Sequence, residues 1–221
     1  LGIAGIAGNG QYELMEALTG EYLVDDKDTI MFNNKDLSFM KPNERRKHGL
    51  SFIPEERIGH ATISSFKLSD NFYLTDYINK HSSRFGIVNN QFNKTNAENI
   101  VKNYDVRIPY ENPTASSLSG GNLQKFIVGR EISRAPKLLI ASQPTWGVDI
   151  GAALEIRKQI INIAENGALV ILISQDIDEI FMISDVISVI YDGNLSKQFK
   201  KNKISIEQVG LLMGGSQLTD N

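Results

Sequence analysis

Apolar positions along this chain follow two periods, and each period predicts a different element. Continuous apolar runs at 137–141 (KLLIA) and 168–174 (ALVILIS) have the pattern of strands buried on both faces of a parallel sheet. Shorter runs at 1–6, 29–32, 50–53 and 186–191 predict further strands, the last followed by a turn at Asp192-Gly193 and a return through Leu195. Between the two long runs, Leu154, Ile156, Ile160, Ile161 and Ile163 recur at helical spacing over 152–164, a helix of crossover length. The same spacing predicts helices over 12–19, where Leu14, Met15 and Leu18 align, and over 176–182, while Pro42 opens a short helix within 41–47. Over 67–117 the texture changes to helices at 70–78 and 96–104, joined by polar connections rich in Asn and Ser. The whole predicts an α/β layer architecture: a core from 1–66 and 137–221, with a helical subdomain inserted at 67–136.

Composition narrows the function. The chain has 221 residues, 41% hydrophobic and 22% charged, enough for one good-sized domain with its own core. A net charge of −3 provides no broad basic face for counterion release, so no nucleic-acid partner is expected. The local run Glu44-Arg45-Arg46-Lys47-His48 reads as a solvated helix or loop surface. With no cysteine there are no disulfides and no thiolate metal sites, which fits a reducing compartment. No apolar run approaches the roughly 18 residues of a spanning helix. The opening Leu1-Gly2-Ile3-Ala4 reads as a cut edge, so the chain is expected to be a piece of a longer polypeptide whose first strands lie upstream.

Two glycine-bearing segments carry candidate chemistry. Gly5-Ile6-Ala7-Gly8-Asn9-Gly10 lies between a predicted strand and a predicted helix, where the N–H groups of Gly8, Asn9 and Gly10 and the helix dipole would suit a phosphate. Its spacing approaches G-x-x-G-x-G-K-[ST], yet the next residues are Gln11 and Tyr12, followed by Glu13. Alone, this loop could equally be an ordinary tight turn. In Ser117-Leu118-Ser119-Gly120-Gly121-Asn122-Leu123-Gln124-Lys125, a hydroxyl and two glycine N–H groups open a helix running to about Ser133. That makes either an outward anion site or an N-capped helix after a Ser-rich loop.

The second segment resembles the signature of ATP-binding-cassette proteins, L-S-G-G-x-x-Q, carried here by Leu118, Ser119, Gly120, Gly121, Asn122 and Gln124. Other pieces follow in family order. Leu138-Leu139-Ile140-Ala141-Ser142-Gln143-Pro144-Thr145 resembles the Walker B strand, and Gly147-Val148-Asp149 the D-loop. Pro54-Glu55-Glu56-Arg57 falls where the Q-loop should be, and Ile171-Leu172-Ile173-Ser174-Gln175-Asp176 resembles the switch strand. The resemblance covers essentially the whole chain and implies a P-loop NTPase cassette fold, a mostly parallel sheet flanked by helices.

It also implies what is missing. The family's loop lysine, magnesium-holding hydroxyl, Walker B aspartate, catalytic glutamate and switch histidine correspond here to Gln11, Tyr12, Ser142, Gln143 and Gln175. Losing one such group costs on the order of 10² to 10⁴ in rate, so no catalytic residue is intact in cis and no metal-binding residue is assigned. ATP with Mg²⁺ is expected to bind weakly or not at all at this loop. Cassettes work in head-to-tail pairs, so an intact signature would complete the ATP site of a partner cassette. The combination resembles the C-terminal cassette of tandem ATP-binding subunits of bacterial importers for simple sugars and nucleosides, where Q-P-T-x-G-[LV]-D-x-G-A recurs. This chain reads Gln143-Pro144-Thr145-Trp146-Gly147-Val148-Asp149-Ile150-Gly151-Ala152.

The resemblance therefore implies several partners: an N-terminal cassette on the same or another chain, transmembrane permease subunits contacted through 55–57 and the helical insertion, and indirectly an extracytoplasmic solute-binding protein. The implied location is the cytoplasmic face of the membrane. Alternatives are a non-transport cassette protein or a catalytically silent regulatory module. A dinucleotide-binding oxidoreductase is disfavoured because Glu13 stands where the third glycine must pack. Ser119 lacks the G-x-S-x-G elbow of a hydrolase.

Overall fold

The computed structural model describes residues 1–216. In chain order, β1 (Gly2–Ala4) leads into α1 (Gln11–Thr19), a hairpin of β2 (Met31–Phe32) and β3 (Lys35–Asp36), then α2 (Pro42–Lys47) and β4 (Leu50–Ile53). Helix α3 (Leu68–Asp76), a hairpin of β5 (Ser83–Arg84) and β6 (Ile87–Val88), α4 (Asn90–Asn103) and α5 (Gly120–Ile132) follow. The chain continues through β7 (Leu138–Ser142), α6 (Ile150–Glu165), β8 (Leu169–Ser174), α7 (Ile177–Ile183) and β9 (Val186–Tyr191). It ends in β10 (Asn194–Leu195), β11 (Phe199–Lys200) and α8 (Ile206–Met213).

Two compact units result: residues 1–52, 138–143 and from Gly167 onward form the first, and 53–137 with 144–166 form the second. The first is built on a sheet in the order β10-β9-β1-β8-β7-β4, with β11 also on β9. Strand β1 lies parallel between β8 and β9, and β7 runs parallel to β8, while β10 and β11 close on β9 antiparallel. Every residue of β7 is buried, which is why its sequence is an unbroken apolar run. Ile3, Met15, Leu50, Ile140, Ile173 and Ile190 meet in one core cluster. This is the α/β, mostly parallel architecture expected of a P-loop NTPase.

The second unit is helical. Leu68 and Phe72 of α3, Ala97 and Ile100 of α4, and Phe126 of α5 share a core. In α6, Ala152, Ile156 and Ile160 make the buried stripe at a spacing of four, and Asp149 caps the helix by accepting from the Ala152 N–H at 2.9 Å. Arg130, 1% exposed, donates to Glu131 at 3.0 Å and to the carbonyls of Asn71 and Ala61 at 3.0 and 2.9 Å, tying α5 to α3 and to the segment before it. No helix is long and apolar enough to cross a membrane among the described residues.

One reading is corrected. The charged run 44–48 is not wholly a solvated surface, because Arg45 is completely buried. Its guanidinium donates to Leu18 O at 2.7 Å, to Leu37 O and Met40 O at 2.8 Å, and to Ala17 O. The last carbonyls of a helix have no partner within it, and Arg45 supplies donors for α1 from outside. Arg45→Ala is therefore expected to lower stability by about 2–4 kcal/mol. Urea unfolding followed by circular dichroism measures this, and a loss under about 0.5 kcal/mol, the range of an ordinary surface change, would refute it.

Candidate functional site

The glycine loop begins where β1 ends. The Gly5 N–H donates to Ser174 O at 3.3 Å, and a Cβ on Gly5 would lie 2.5 Å from both Gln11 Nε2 and a methyl of Ile190, so only glycine fits. Gly8 and Gly10 have φ of +86° and +104°, left-handed values that turn the chain into α1 without strain. Gln11 then folds back across the loop. Its Nε2 donates to Ile6 O at 2.6 Å, and its Oε1 accepts from the Asn9 N–H at 3.0 Å. Asn9 is pinned as well: its side chain donates to Ile6 O at 2.9 Å, and its two oxygens accept from the N–H groups of Asp192 and Gly193, each at 3.0 Å. The sequence suggested that the Asn9 N–H stays available for a phosphate. In the folded loop it already has a partner in Gln11. Tyr12 and Glu13 point into solvent, with Tyr12 60% exposed.

The ends of β7 and β8 carry Ser142, Gln143, Ser174 and Gln175, with the carboxylates of Asp176 and Glu179 just beyond. Ser142 and Gln143 are each 6% exposed. Gln143 takes a left-handed φ of +49°, its N–H donates to Ile173 O at 2.8 Å, and its side-chain oxygen accepts from the Gln175 N–H at 3.4 Å. Ser174 donates to Glu179 at 2.7 Å. Neutral amides are poor replacements for the carboxylates a hard dication prefers. No cluster of three or more His, Cys, Asp or Glu able to hold a metal ion occurs among the described residues. Ser142, Gln143 and Gln175 offer a dication no carboxylate, and the nearby carboxylates of Glu179 and Asp176 accept from the Ser174 hydroxyl and the Glu179 N–H.

The signature segment, the D-loop-like turn and the Pro54-Glu55-Glu56-Arg57 segment all lie in the second unit. Ser119 caps α5, its Oγ accepting from the Asn122 side chain at 2.9 Å and from the Asn122 N–H at 3.5 Å. Asn122 in turn accepts from the Arg107 N–H at 2.8 Å. Leu118 packs at the edge of the helical core. An added Cβ on Gly120 would come 2.9 Å from Arg57 Nη1, so a side chain there would have to displace that guanidinium. Gly147, at φ +60°, lies against the same guanidinium, and Gly121 faces Asp149. Glu55 and Glu56 are exposed, and Pro54 and Gln124 are buried.

Sequence reasoning missed the brace beneath this surface. Arg57 Nε donates to Gln124 Oε1 at 3.1 Å, and Gln124 Nε2 donates to Pro144 O at 2.8 Å. One buried amide thereby joins the segment at 54–57, the signature helix and the turn leading to Gly147. The only sequence signal was a Gln on what otherwise becomes the buried face of α5. Burial pulls the Arg57 guanidinium below its usual range, and its partner is a neutral amide. Asp149 is held below the usual carboxylate range chiefly by the Ala152 N–H.

Residues 1–146 match the family described as ABC transporter. The chain belongs to the ABC transporter family. This ATP-binding cassette is 39% identical over 216 residues to the guanosine import ATP-binding protein of Bacillus subtilis strain 168, covering 98% of this chain and 42% of that protein. It is 34% identical over 219 residues to the ribose import ATP-binding protein of Lactococcus lactis subsp. lactis strain IL1403, covering 98% of this chain and 44% of that one. The cassette thus spans less than half the length of these relatives. Among solved structures it superposes on a dimeric ATP-binding cassette in a post-hydrolysis state bound to ADP and Pi, with a TM-score of 0.74 at 18% identity over 90% of this chain and 84% of that one.

Replacing Gln124 by Leu removes both arms of the brace and strands the buried Pro144 carbonyl. A loss of about 1–3 kcal/mol is expected in thermal unfolding, and an unchanged Tm would refute the brace.

Proposed function

We propose that this cassette is the C-terminal, degenerate half of a tandem ATP-binding subunit serving a bacterial importer of simple sugars or nucleosides. The observation that supports the reading is the folded-in amide of Gln11, which takes the Asn9 N–H and Ile6 O where the family has a lysine charge, while Ser119 and Gly120 remain exposed at the start of α5. A neutral amide replaces the lysine charge, and Gln143 and Gln175 replace proton acceptors that no accessible pH restores. The relatives bear on the substrate class, since their names specify guanosine and ribose import, and on the missing half, since they are more than twice as long.

On this reading ATP with Mg²⁺ is bound weakly or not at all by the residues from Gly5 to Glu13. It is held instead by the loop of an N-terminal cassette facing the signature. Ser119 and the N–H groups of Gly120 and Gly121 would meet its γ-phosphate, Gln124 and Asn122 would hold them in place, and Asp149 would align the facing surface. Gly147 and Val148 shape the turn that presents Asp149. Pro54, Glu55, Glu56 and Arg57 would face the permease subunits and pass their movement to the signature through Gln124. Solute choice then rests with the permease and an external binding protein, and the cassette sits peripherally at the cytoplasmic face of the membrane.

The test joins this chain to a cassette with an intact loop lysine and catalytic glutamate. Ser119→Arg with Gly120→Asp is expected to lower ATP turnover of the pair by roughly 10²-fold or more. Unchanged turnover would remove the lending role. The chain alone is expected to give no ATP hydrolysis above background, and repeated turnover by the isolated protein would overturn the degenerate assignment.

A further inference from the structure

The hairpin of β5 and β6 belongs to no part of the nucleotide chemistry. Its strands pair Ser83 with Val88 and Arg84 with Ile87, leaving Phe85 and Gly86 as a two-residue turn. Both turn residues have positive φ, +51° and +79°, as the tightest hairpin turn requires. Asn or Gly normally occupies the first of these positions, because a bulky side chain at positive φ is strained. Phe85 is there nonetheless, 89% exposed, beside Ile87 at 75%.

The base of the hairpin is firmly held: Ser82 is fully buried and donates to the Asp76 carboxylate, and Ser82 O accepts from the Asn89 N–H at 2.9 Å and from the Asn93 side chain at 3.3 Å. An apolar tip is therefore displayed on a rigid stem.

The chain segment that carries the hairpin holds one sign of charge. From Tyr77 to Ala97 there is no Asp or Glu, while Lys80, Arg84 and Lys94 are present. Lys94 is used by Glu111 and Glu98. Lys80 and Arg84 are exposed and have no carboxylate partner among the described residues. The Arg84 guanidinium lies 5.1 Å from the Phe85 ring centroid, so cation and aromatic are presented together.

We propose that this hairpin dips into an anionic phospholipid surface, with Phe85 and Ile87 at the boundary between headgroups and acyl chains and Lys80 and Arg84 on the phosphates. A two-residue turn is far too small to supply the roughly 1,000 Å² of a stable protein interface. Interfacial insertion needs only an apolar projection flanked by cations, each cation adding roughly a fivefold gain in partitioning. The hairpin acts as a weak, reversible second anchor. This rests on the peripheral membrane placement proposed above.

The test is co-sedimentation of the chain with phosphatidylcholine vesicles, with and without phosphatidylglycerol, at low and high salt and with no nucleotide. Binding is expected only with phosphatidylglycerol and is expected to weaken as salt rises. The deciding variant is Phe85→Asn, which suits the turn, so the fold should melt no lower than the parent while vesicle binding falls about tenfold. Lys80→Glu with Arg84→Glu is expected to abolish binding to the anionic vesicles. Two results overturn the proposal: no binding by the parent chain, or equal binding by parent and Phe85→Asn. Since no ATP is present, these failures leave the paired-cassette reading to its own turnover assay.

Discussion

The side-chain amide of Gln11 determines what the glycine loop can be. A lysine there would bring a charge that needs an anion, and a loop shaped around it would be incomplete without phosphate. An amide carries a donor and an acceptor on one planar group, so it meets Ile6 O and the Asn9 N–H together. The loop runs from strand through turn to helix, with Gly5, Gly8 and Gly10 in positions only glycine fills without strain, and Gln11 occupies one of its N–H groups.

Amides also stand at positions 143 and 175. A buried carboxylate at position 143 would need a metal or a cation to offset its desolvation, whereas the amide of Gln143 meets its nearest N–H in Gln175 and stays neutral. The second unit is treated oppositely. Arg57 and Asp149 keep their charges beside Gly120 and Gly121, and Gln124 is used as a brace.

Much of the fold was legible because burial on both faces leaves a continuous mark: strands at 50–53 and 186–191 are found where the apolar runs predict them, and α6 follows its stripe of isoleucines. Elements without such a mark escaped. The β5–β6 hairpin is exposed along both short strands, so its residues show no periodicity. Helix α8 carried a legible sign that went unread, the capping box in which Ser205 and Gln208 exchange hydrogen bonds ahead of Val209 and Met213. Arg45 misled because a charge run on a helix normally faces water, and nothing local records that the end of a distant helix needs its donors.

The sequence by itself determined the layer architecture, the order of the motifs and which residue stands at each motif position. Those depend on residue type and spacing along one chain, and both are preserved in the string. Only the tertiary structure decided where the remaining polar groups turn. Gln11 could have pointed outward to a phosphate, Gln124 could have been a surface residue, and Phe85 could have folded inward. Each outcome rests on hydrogen-bond partners and contacts brought together by folding, from Ile6 and Asn9 to Arg57, Pro144 and Asp76, and such partners leave no periodic trace in the sequence.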